Sequence, residues 1–328
     1  MSTLQDKQLI ASRERWMAEL ETIFTGRTPV RPFYLAGYMA QASADAFRDP
    51  LAWARQAAAD LEAHAECLLD EEVFRPLVFE HWLYGVHFTD KLFGAEVYYR
   101  HDQWWSKGLP NAIGELPVIN FETNPIWKQA RELTRAILSL ETTVPFITTQ
   151  VLGGPFNQMF NLYKENLLTG FYDNPAGVRR DFRVLTDALV YMHNWYRDII
   201  PADQFQPIYA AGRCMPRGYG QMCGCATQMI SKEIYDAFIR PLDEEVLSVY
   251  PHGGMYHLCG AHAQHLATWR DMPGLRAFQI NDRATEDFDL YFSTLREDQI
   301  FYAFPTAAMT RDRMLQKTGG KRTVFFGD

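Results

Sequence analysis

The order of the elements expected from this sequence predicts an α/β protein, a single (β/α)8 TIM barrel with an N-terminal helical extension. From Ser231 onward, amphipathic segments alternate with short apolar segments, as repeated helix–strand units require. The apolar segments are nearly uniform, which is typical of parallel strands buried on both faces. A chain of 328 residues also fits one barrel of about 250 residues with extensions.

The domain organisation follows from the same reading. We assign residues 1–30 to the N-terminal helical extension and residues 31–328 to the barrel. No stretch rich in Gly, Ser or Pro separates two domains. A doubly wound sheet is the alternative, but no expected strand is followed by a G-x-G-x-x-G or G-x-x-x-x-G-K loop.

Periodicity, caps and turn residues place the individual elements. Helical spacing predicts helices at residues 4–24, 51–69, 86–93, 126–140, 156–168, 175–196, 231–249, 262–270, 285–295 and 309–317. Short apolar or β-branched runs predict strands at residues 32–37, 77–83, 96–105, 145–152, 207–211, 219–225, 254–259, 275–280, 300–304 and 323–326. Functional side chains are expected at the carboxyl ends of the strands.

Composition limits the class of partner. The chain has 32 Lys and Arg against 40 Asp and Glu, a formal net charge of −8. This balance disfavours nucleic acid and anionic membranes as partners. No apolar run approaches the roughly 20 residues of a spanning helix, and the first residues lack an apolar signal-peptide core. We therefore expect a cytoplasmic protein with a small-molecule substrate, and the aromatic content is compatible with a homodimer.

The cysteines indicate metal or thiolate chemistry rather than disulfides. There are five, and four of them lie between Cys214 and Cys259. His257 and Cys259 are two apart at a strand end, so their side chains point the same way, and both are good zinc ligands. Cys225, the second cysteine of a C-x-C sequence, is a candidate third ligand. The structural alternative is a buried thiol beside a core histidine, with small residues at a tight corner.

Polar and aromatic residues also follow the strand predicted at residues 77–83. Glu80 and His81 should point to opposite faces, so one of them can face the barrel opening as a general base, proton donor or metal ligand. Trp82 is a candidate wall for a ring-bearing substrate. These three positions are expected to contribute to the active site.

Two pairs of residues at helix starts are weaker candidates. Asn157 and Asn161 lie one helical turn apart after a Gly-Gly-Pro sequence and could bind substrate through their amides. His262 and His265 follow the His-x-Cys-Gly sequence and could add metal ligands. Their spacing is more typical of a solvated helix face.

Three segments of the chain resemble the uroporphyrinogen decarboxylase superfamily. They are YGVHFTDKLFGAEVYY, GGPFNQMFNLYKENLLTGFYDNPAGVRRDF and SKEIYDAFIRPLDEEVLSVYPHGGMYHLCG, the last ending in His-x-Cys-Gly. The resemblance extends over nearly the whole chain and implies a (β/α)8 barrel. It is closer to the zinc methyltransferases of this superfamily, which act with corrinoid proteins or thiols, than to the heme-pathway decarboxylase.

The two branches imply different site residues. The methyltransferase pattern is His-x-Cys followed by a later cysteine; His257 and Cys259 match its first part, and no cysteine follows. The third ligand would then be Cys225, Glu80, Asp282 or Asp328. Where the decarboxylases have a catalytic aspartate, this chain has FEH, and LAGYM replaces their arginine-bearing first strand.

The sequence thus predicts a zinc-dependent methyltransferase that moves a methyl group between a small molecule and a corrinoid or thiol. The corrinoid would be carried by a separate partner protein, because the chain has no D-x-H-x-x-G sequence. Two alternatives stay open. One is a cofactor-free decarboxylase or lyase acting on a carboxylated substrate, with Glu80 or His81 as proton donor. The other is a non-catalytic binding protein on the same barrel.

Overall fold

A computed structural model of the chain describes residues 3–27, 29–42, 44–207 and 213–326. The α-helices are α1 (Lys7–Phe24), α2 (Pro50–Ala63), α3 (Phe88–Leu92), α4 (Pro125–Leu138), α5 (Pro155–Tyr163), α6 (Asn166–Asp173), α7 (Pro175–Ile199), α8 (Lys232–Ile234), α9 (Arg240–Ser248), α10 (Leu266–Arg270), α11 (Asp282–Glu286), α12 (Phe288–Thr294) and α13 (Arg311–Thr318). A π-helical turn, Tyr235–Ile239, joins α8 to α9.

Most of the strands are short and buried. They are β1 (Phe33–Leu35), β2 (Tyr38–Gln41), β3 (Val73–Phe74), β4 (Leu77–Glu80), β5 (Val97–Arg100), β6 (Gln103–Ser106), β7 (Phe146–Thr148), β8 (Phe205–Gln206), β9 (Gly220–Cys223), β10 (Gly254–Leu258), β11 (Leu275–Ile280), β12 (Ile300–Ala303) and β13 (Thr323–Phe326). The strand predicted at residues 207–211 falls almost entirely outside the described residues. The extended segment predicted at 96–105 is an antiparallel hairpin of β5 and β6.

Two parallel sheets form the centre of the fold. The larger has seven strands in the order β3-β1-β13-β12-β11-β10-β9, and the smaller has the order β2-β4-β7-β8. The two sheets meet where β1 continues into β2 and β3 into β4; Pro76, which has no N–H to donate, lies in the second of these breaks. Backbone hydrogen bonds from Ala36 to Phe74 and from Tyr38 to Pro76 link these breaks.

The prediction of an α/β fold is confirmed. The prediction of a closed eight-stranded barrel is supported only in part, because the described strands form two parallel sheets in a barrel-like order. Within the described ranges, no strand pairing joins β8 to β9, so the sheets have a barrel-like order without a closed ring. The connection between these strands includes residues 208–212, which are outside the described part. The N–H of Gly154 donates to the carbonyl of Cys223 at 2.9 Å and links the loop after β7 to the carboxyl end of β9.

Helix α1 covers the amino ends of the strands. Its Trp16 ring lies 5.6 Å from Phe33 and 5.7 Å from Phe74, measured between ring centroids. The buried Arg13 guanidinium donates to the carbonyls of Thr143 and Val144, just before β7. The extension predicted at residues 1–30 is therefore packed against the barrel-like core. No helix in the described residues is both long and apolar enough to cross a membrane.

Replacing Trp16 with Ala should destabilise the fold, because it removes a fully buried indole that joins α1 to β1 and β3. The expected loss in the free energy of unfolding is about 3–5 kcal/mol. Urea unfolding followed by circular dichroism measures it. Glu21→Ala, at an exposed position of the same helix, is the control and should leave the unfolding midpoint nearly unchanged. Equal stability of the two variants would contradict the packing role of α1.

Candidate metal centre

Parallel pairing of β9 with β10 brings cysteine and histidine side chains together. Cys223, the last residue of β9, is the register partner of His257 in β10. Cys225 follows two residues after the end of β9, and Cys259 follows directly after β10. Because these are the carboxyl ends of parallel strands, all four residues lie at the edge where functional groups are expected.

The distances define a compact cluster. The ligand atoms of Cys223, Cys225 and His257 all lie within 4.8 Å of one another. The sulfurs of Cys223 and Cys225 are 3.4 Å apart, and Cys259 Sγ lies 3.4 Å from His257 Nε2. The backbone N–H of Cys259 also points to Cys225 Sγ at 3.2 Å. We refer to these four residues as the cysteine–histidine cluster.

The imidazole of His257 is oriented by a neighbouring strand. Its Nδ1 hydrogen-bonds the side-chain oxygen of Gln279, the register partner of His257 in β11. The Gln279 amide nitrogen in turn contacts Asn281 Oδ1, which assigns the oxygen of Gln279 to the histidine side. An acceptor oxygen at Nδ1 places a proton there, so Nε2 is the ring nitrogen that faces the sulfur of Cys259.

The loop after β10 turns through Gly260. Its φ is +74°, a left-handed backbone conformation that favours glycine. His262, just beyond, lies 2.6 Å from the carbonyl of Cys259 and 3.2 Å from the hydroxyl of Thr227. His265 contacts the carbonyl of Thr227. The expectation of a solvated histidine face is wrong, because both rings are fully buried and support the cysteine-bearing loops.

The pKa values of the three thiols are shifted in different directions. The hydrogen bond with Cys225 is the main cause that lowers the pKa of Cys223, and it also lowers the pKa of Cys259. The same hydrogen bonds raise the pKa of Cys225 above its ordinary value. Thiolate is the form that binds metal, so binding through Cys225 would release the proton of its thiol.

The donor set suits zinc. Thiolate sulfur and imidazole nitrogen are the ligands that zinc prefers. The ligand atoms of Cys223, Cys225 and His257 lie close enough together for one ion to be held among them. Cys225, predicted as third ligand, belongs to the cluster, and its strand end lies beside that of His257 as the prediction required. Of the other sequence candidates, Asp282 is exposed near Cys259, Glu80 is on a different strand, and Asp328 lies outside the described residues.

Glu80 ends β4 and is fully buried. Burial raises the pKa of Glu80 to about 8, although a hydrogen bond from Gln41 and the charge of Arg213 oppose this. Gln41 Nε2 donates to Oε2 at 2.8 Å, and no hydrogen-bond partner for Oε1 occurs in the described chain. Glu80 is therefore a carboxyl group that is protonated at neutral pH and still has an oxygen available.

His81 points to the other side of the strand, as the alternation predicted. Its Nε2 lies 3.0 Å from the hydroxyl of Thr134 in α4, and its ring packs edge-on against Tyr196 of α7. Burial lowers the pKa of His81 to about 3, so the imidazole is neutral. This helix-facing position favours Glu80 over His81 for the acid–base role that was predicted for one of them.

The other sequence candidates fall in two places. Trp82 lines a cavity beside β2 and β4. Asn157 lies at the cluster, where its Nδ2 contacts Cys223 Sγ at 3.1 Å and its Oδ1 accepts from the N–H of Ala226 at 2.7 Å. Its amide thus supports the C-x-C loop. Asn161 is half-buried one turn along α5, and its substrate-binding role stays a prediction.

Sequence reasoning considered Cys223 only as part of the C-x-C sequence and not as a ligand, and it did not single out Gln279 or Arg213. Cys223 was visible in the C-x-C sequence, and a lone glutamine in the apolar strand LRAFQI was a signal for Gln279. Arg213 is buried and close enough to Glu80 and Cys223 for its charge to lower the pKa of each. No local pattern marks that arginine.

The fold and the cluster define a mixed α/β protein with a barrel-like parallel core and a candidate metal centre at its carboxyl edge. Among solved structures, a methyltransferase from Methanosarcina mazei matches it with a TM-score of 0.65 and 12% sequence identity, over 95% of this chain and 92% of that one. At this identity the likeness shows the fold alone. Neither a model of a known family nor a curated protein matches the sequence.

Replacing Glu80 with Gln should reduce the pH dependence of stability. The folded protein keeps the proton of Glu80 up to about pH 8, whereas the unfolded chain releases it near pH 4.5, so wild-type stability falls as pH rises between these values. Between about pH 5.5 and about pH 7.5, wild type should lose about 2–3 kcal/mol more than Glu80→Gln.

Urea unfolding at the two pH values measures this difference. Glu71→Gln, which removes an exposed carboxyl nearby in the chain, is the matched control and should retain the wild-type dependence. A parallel pH response of wild type and Glu80→Gln would show that Glu80 is ionised in the folded protein at neutral pH.

Proposed function

We propose that this protein is a zinc-dependent methyltransferase that moves a methyl group between a small molecule and a thiol or corrinoid. The observation that carries the proposal is the convergence of His257 with cysteine sulfurs at the carboxyl edge of β9 and β10. The methyltransferase with a similar fold supports the same class of reaction. Any corrinoid would be carried by a separate protein.

The proposed ligands are His257, Cys259 and Cys225, with Cys223 as the further sulfur of the cluster. Catalytic zinc sites use three protein ligands and keep one position open, whereas four protein ligands close a structural site. Zinc bound here would act as a Lewis acid that keeps a substrate thiol in its thiolate form. One sulfur of the cluster therefore has to stay off the metal, or leave it, for a substrate to bind.

The residues around the cluster prepare it for this chemistry. Gln279 fixes the tautomer of His257, and the loops bearing the cysteines are supported by Asn157 and His262. In the transfer itself, a lone pair of the thiolate sulfur forms the new S–C bond. The bond from the methyl carbon to the donor atom breaks, and its electron pair stays on the donor atom.

Zinc content and activity should be lost together when a ligand is removed. We expect about one zinc per wild-type chain, and little in His257→Ala or Cys225→Ser. Elemental analysis measures the metal. Free methylcobalamin as methyl donor and mercaptoethanol as acceptor provide a probe reaction, in which mass spectrometry detects the methyl thioether. The rate should fall at least about 100-fold in both variants, beyond the usual effect of losing an outer-shell partner.

Cys67→Ser is the matched control, since Cys67 lies against the carbonyl of Arg75 and not in the cluster. It should retain both zinc and activity. Cys223→Ser and Cys259→Ser, compared in the same way, identify which sulfur is dispensable for zinc. Wild-type transfer rates in a zinc-free variant would contradict the proposal, and zinc binding without any transfer would favour a non-catalytic binding protein.

Gln279→Ala should weaken zinc binding while the cluster residues themselves are unchanged. Loss of the hydrogen bond to Nδ1 frees the imidazole to rotate and to change tautomer, and such partners typically contribute 10–100-fold (order of magnitude) to metal affinity or activity. Competition with a chromogenic chelator measures the affinity. Gln279→Glu, which retains an acceptor oxygen, should restore most of it. If Gln279→Ala binds zinc as tightly as wild type, the orienting role is wrong.

A cofactor-free decarboxylase or lyase is the second candidate, favoured by the pair of Glu80 and Arg213. A protonated carboxyl can donate to a carbanion, and a buried guanidinium can bind a substrate carboxylate. The two functions differ in their response to metal removal. A lyase keeps its activity in strong chelator and loses it in Glu80→Gln, whereas the proposed methyltransferase loses its activity in chelator.

A further inference from the structure

A cavity of about 620 Å³ lies where β2 and β4 end, next to the β5–β6 hairpin. It is at the same carboxyl edge of the fold as the cysteine–histidine cluster. Four aromatic residues contribute to its wall: Phe47, Trp82, Tyr99 and Trp104. We refer to this space as the aromatic cavity.

The rings at the cavity are set at steep angles to one another. Trp104 is central: its ring lies 5.1 Å from Tyr99 and 6.0 Å from Phe47, with interplanar angles of 63° and 61°. Gly85, with φ of +55°, separates the two indoles; a Cβ there would lie 3.1 Å from Trp104 and 3.5 Å from Trp82. Walls at such angles present several ring faces to one ligand rather than a single stacking plane.

One acidic residue lines the cavity. Of the described residues that line it, Asp102 is the only one with a formal charge. His101 and Asp102 form the hairpin turn with φ of +53° and +55°, and this turn places Asp102 at the wall of the cavity. A cation already lies over a neighbouring ring, since Lys91 Nζ is 5.9 Å from the centroid of Tyr84.

The cavity wall combines aromatic ring faces at several angles with one carboxylate. This combination suits a cationic ligand. The negative faces of Trp, Tyr and Phe attract cations, and a methylated ammonium group, which is large and weakly hydrated, gains most from several faces. We propose that the aromatic cavity binds the methylated ammonium headgroup of a small molecule. This proposal names a substrate class for the proposed function. Binding of the headgroup does not depend on that function, but the role of the bound molecule as a substrate of methyl transfer rests on it.

Gln41 links the cavity wall to the buried Glu80 by a hydrogen bond. This side chain lines the cavity and donates its amide hydrogen to Glu80. A ligand with its headgroup among the rings therefore has its remaining atoms beside the side chain that holds the buried carboxyl. The site is thus part of the carboxyl-edge surface and not a separate surface pocket.

Calorimetric titration with choline, compared with its neutral isostere in which a tert-butyl group replaces the trimethylammonium group, tests the proposal. The two molecules have the same shape, so a difference in affinity reports the charge. We expect choline to bind about tenfold more tightly than the isostere, as cation–π attraction of about 1–2 kcal/mol implies. Equal affinity for both, or no binding of choline, would overturn the proposal.

Variants locate the site. Trp104→Ala should weaken choline binding about tenfold, whereas Trp105→Ala, on the opposite face of the same strand, is the matched control and should bind as wild type does. Tyr99→Leu, at a position that is 59% exposed, removes a ring without disturbing the core and should also weaken binding. Asp102→Asn should weaken choline and leave the isostere unchanged. Equal losses in Trp104→Ala and Trp105→Ala would overturn the assignment.

The same titration on metal-depleted Cys225→Ser separates this proposal from the proposed function. Choline should bind this variant as it binds wild type, because no cluster residue lines the cavity. In the zinc-loaded wild-type protein, absence of methyl transfer with choline binding intact would contradict the methyltransferase alone. Methyl transfer to mercaptoethanol without any choline binding would contradict the aromatic-cavity proposal alone.

Discussion

Hydrogen bonding between the parallel strands β9, β10 and β11 is the constraint on which the candidate metal centre depends. It sets Cys223, His257 and Gln279 at matching positions on three adjacent strands. Because parallel neighbours end at the same edge, Cys225 and Cys259, which follow their strands, fall into the same space. A shift of one residue in either pairing would turn the imidazole away from the sulfurs and separate it from its orienting amide.

The second constraint is burial, which shifts the pKa values of two neighbouring residues in opposite directions. Glu80 and His81 are adjacent and equally buried, yet one faces the interior and the other the helices. Burial disfavours the charged form of both, so the carboxyl keeps its proton and the imidazole loses its proton. Glu80 Oε1 and His81 Nδ1 both lack a hydrogen-bond partner among the described residues. Only Glu80 faces the interior, so it is the member of the pair that can exchange a proton with a ligand there.

The alternation of helices and strands after Ser231 could be predicted from the sequence, because each strand there is short, apolar and bounded by turn residues. The pairing of His257 with Cys259 followed from the two-residue period of a strand. The roles of Gln279 and Arg213 could not be read locally, because they depend on which strands become neighbours and on how segments distant in sequence approach one another. The burial of His262 and His265 was missed for a related reason: helical spacing gives a face, but tertiary packing decides what covers it.

The charges along the carboxyl edge constrain how a ligand can lie there. Arg213 is buried near both Glu80 and Cys223 and brings a positive charge to that part of the interior, whereas Asp102 brings a negative charge to the wall of the aromatic cavity. The charge of Asp102 favours a cationic group at the rings, and the charge of Arg213 favours an anionic group beside Glu80. A ligand that carries both kinds of group would therefore be favoured in one orientation by these two charges.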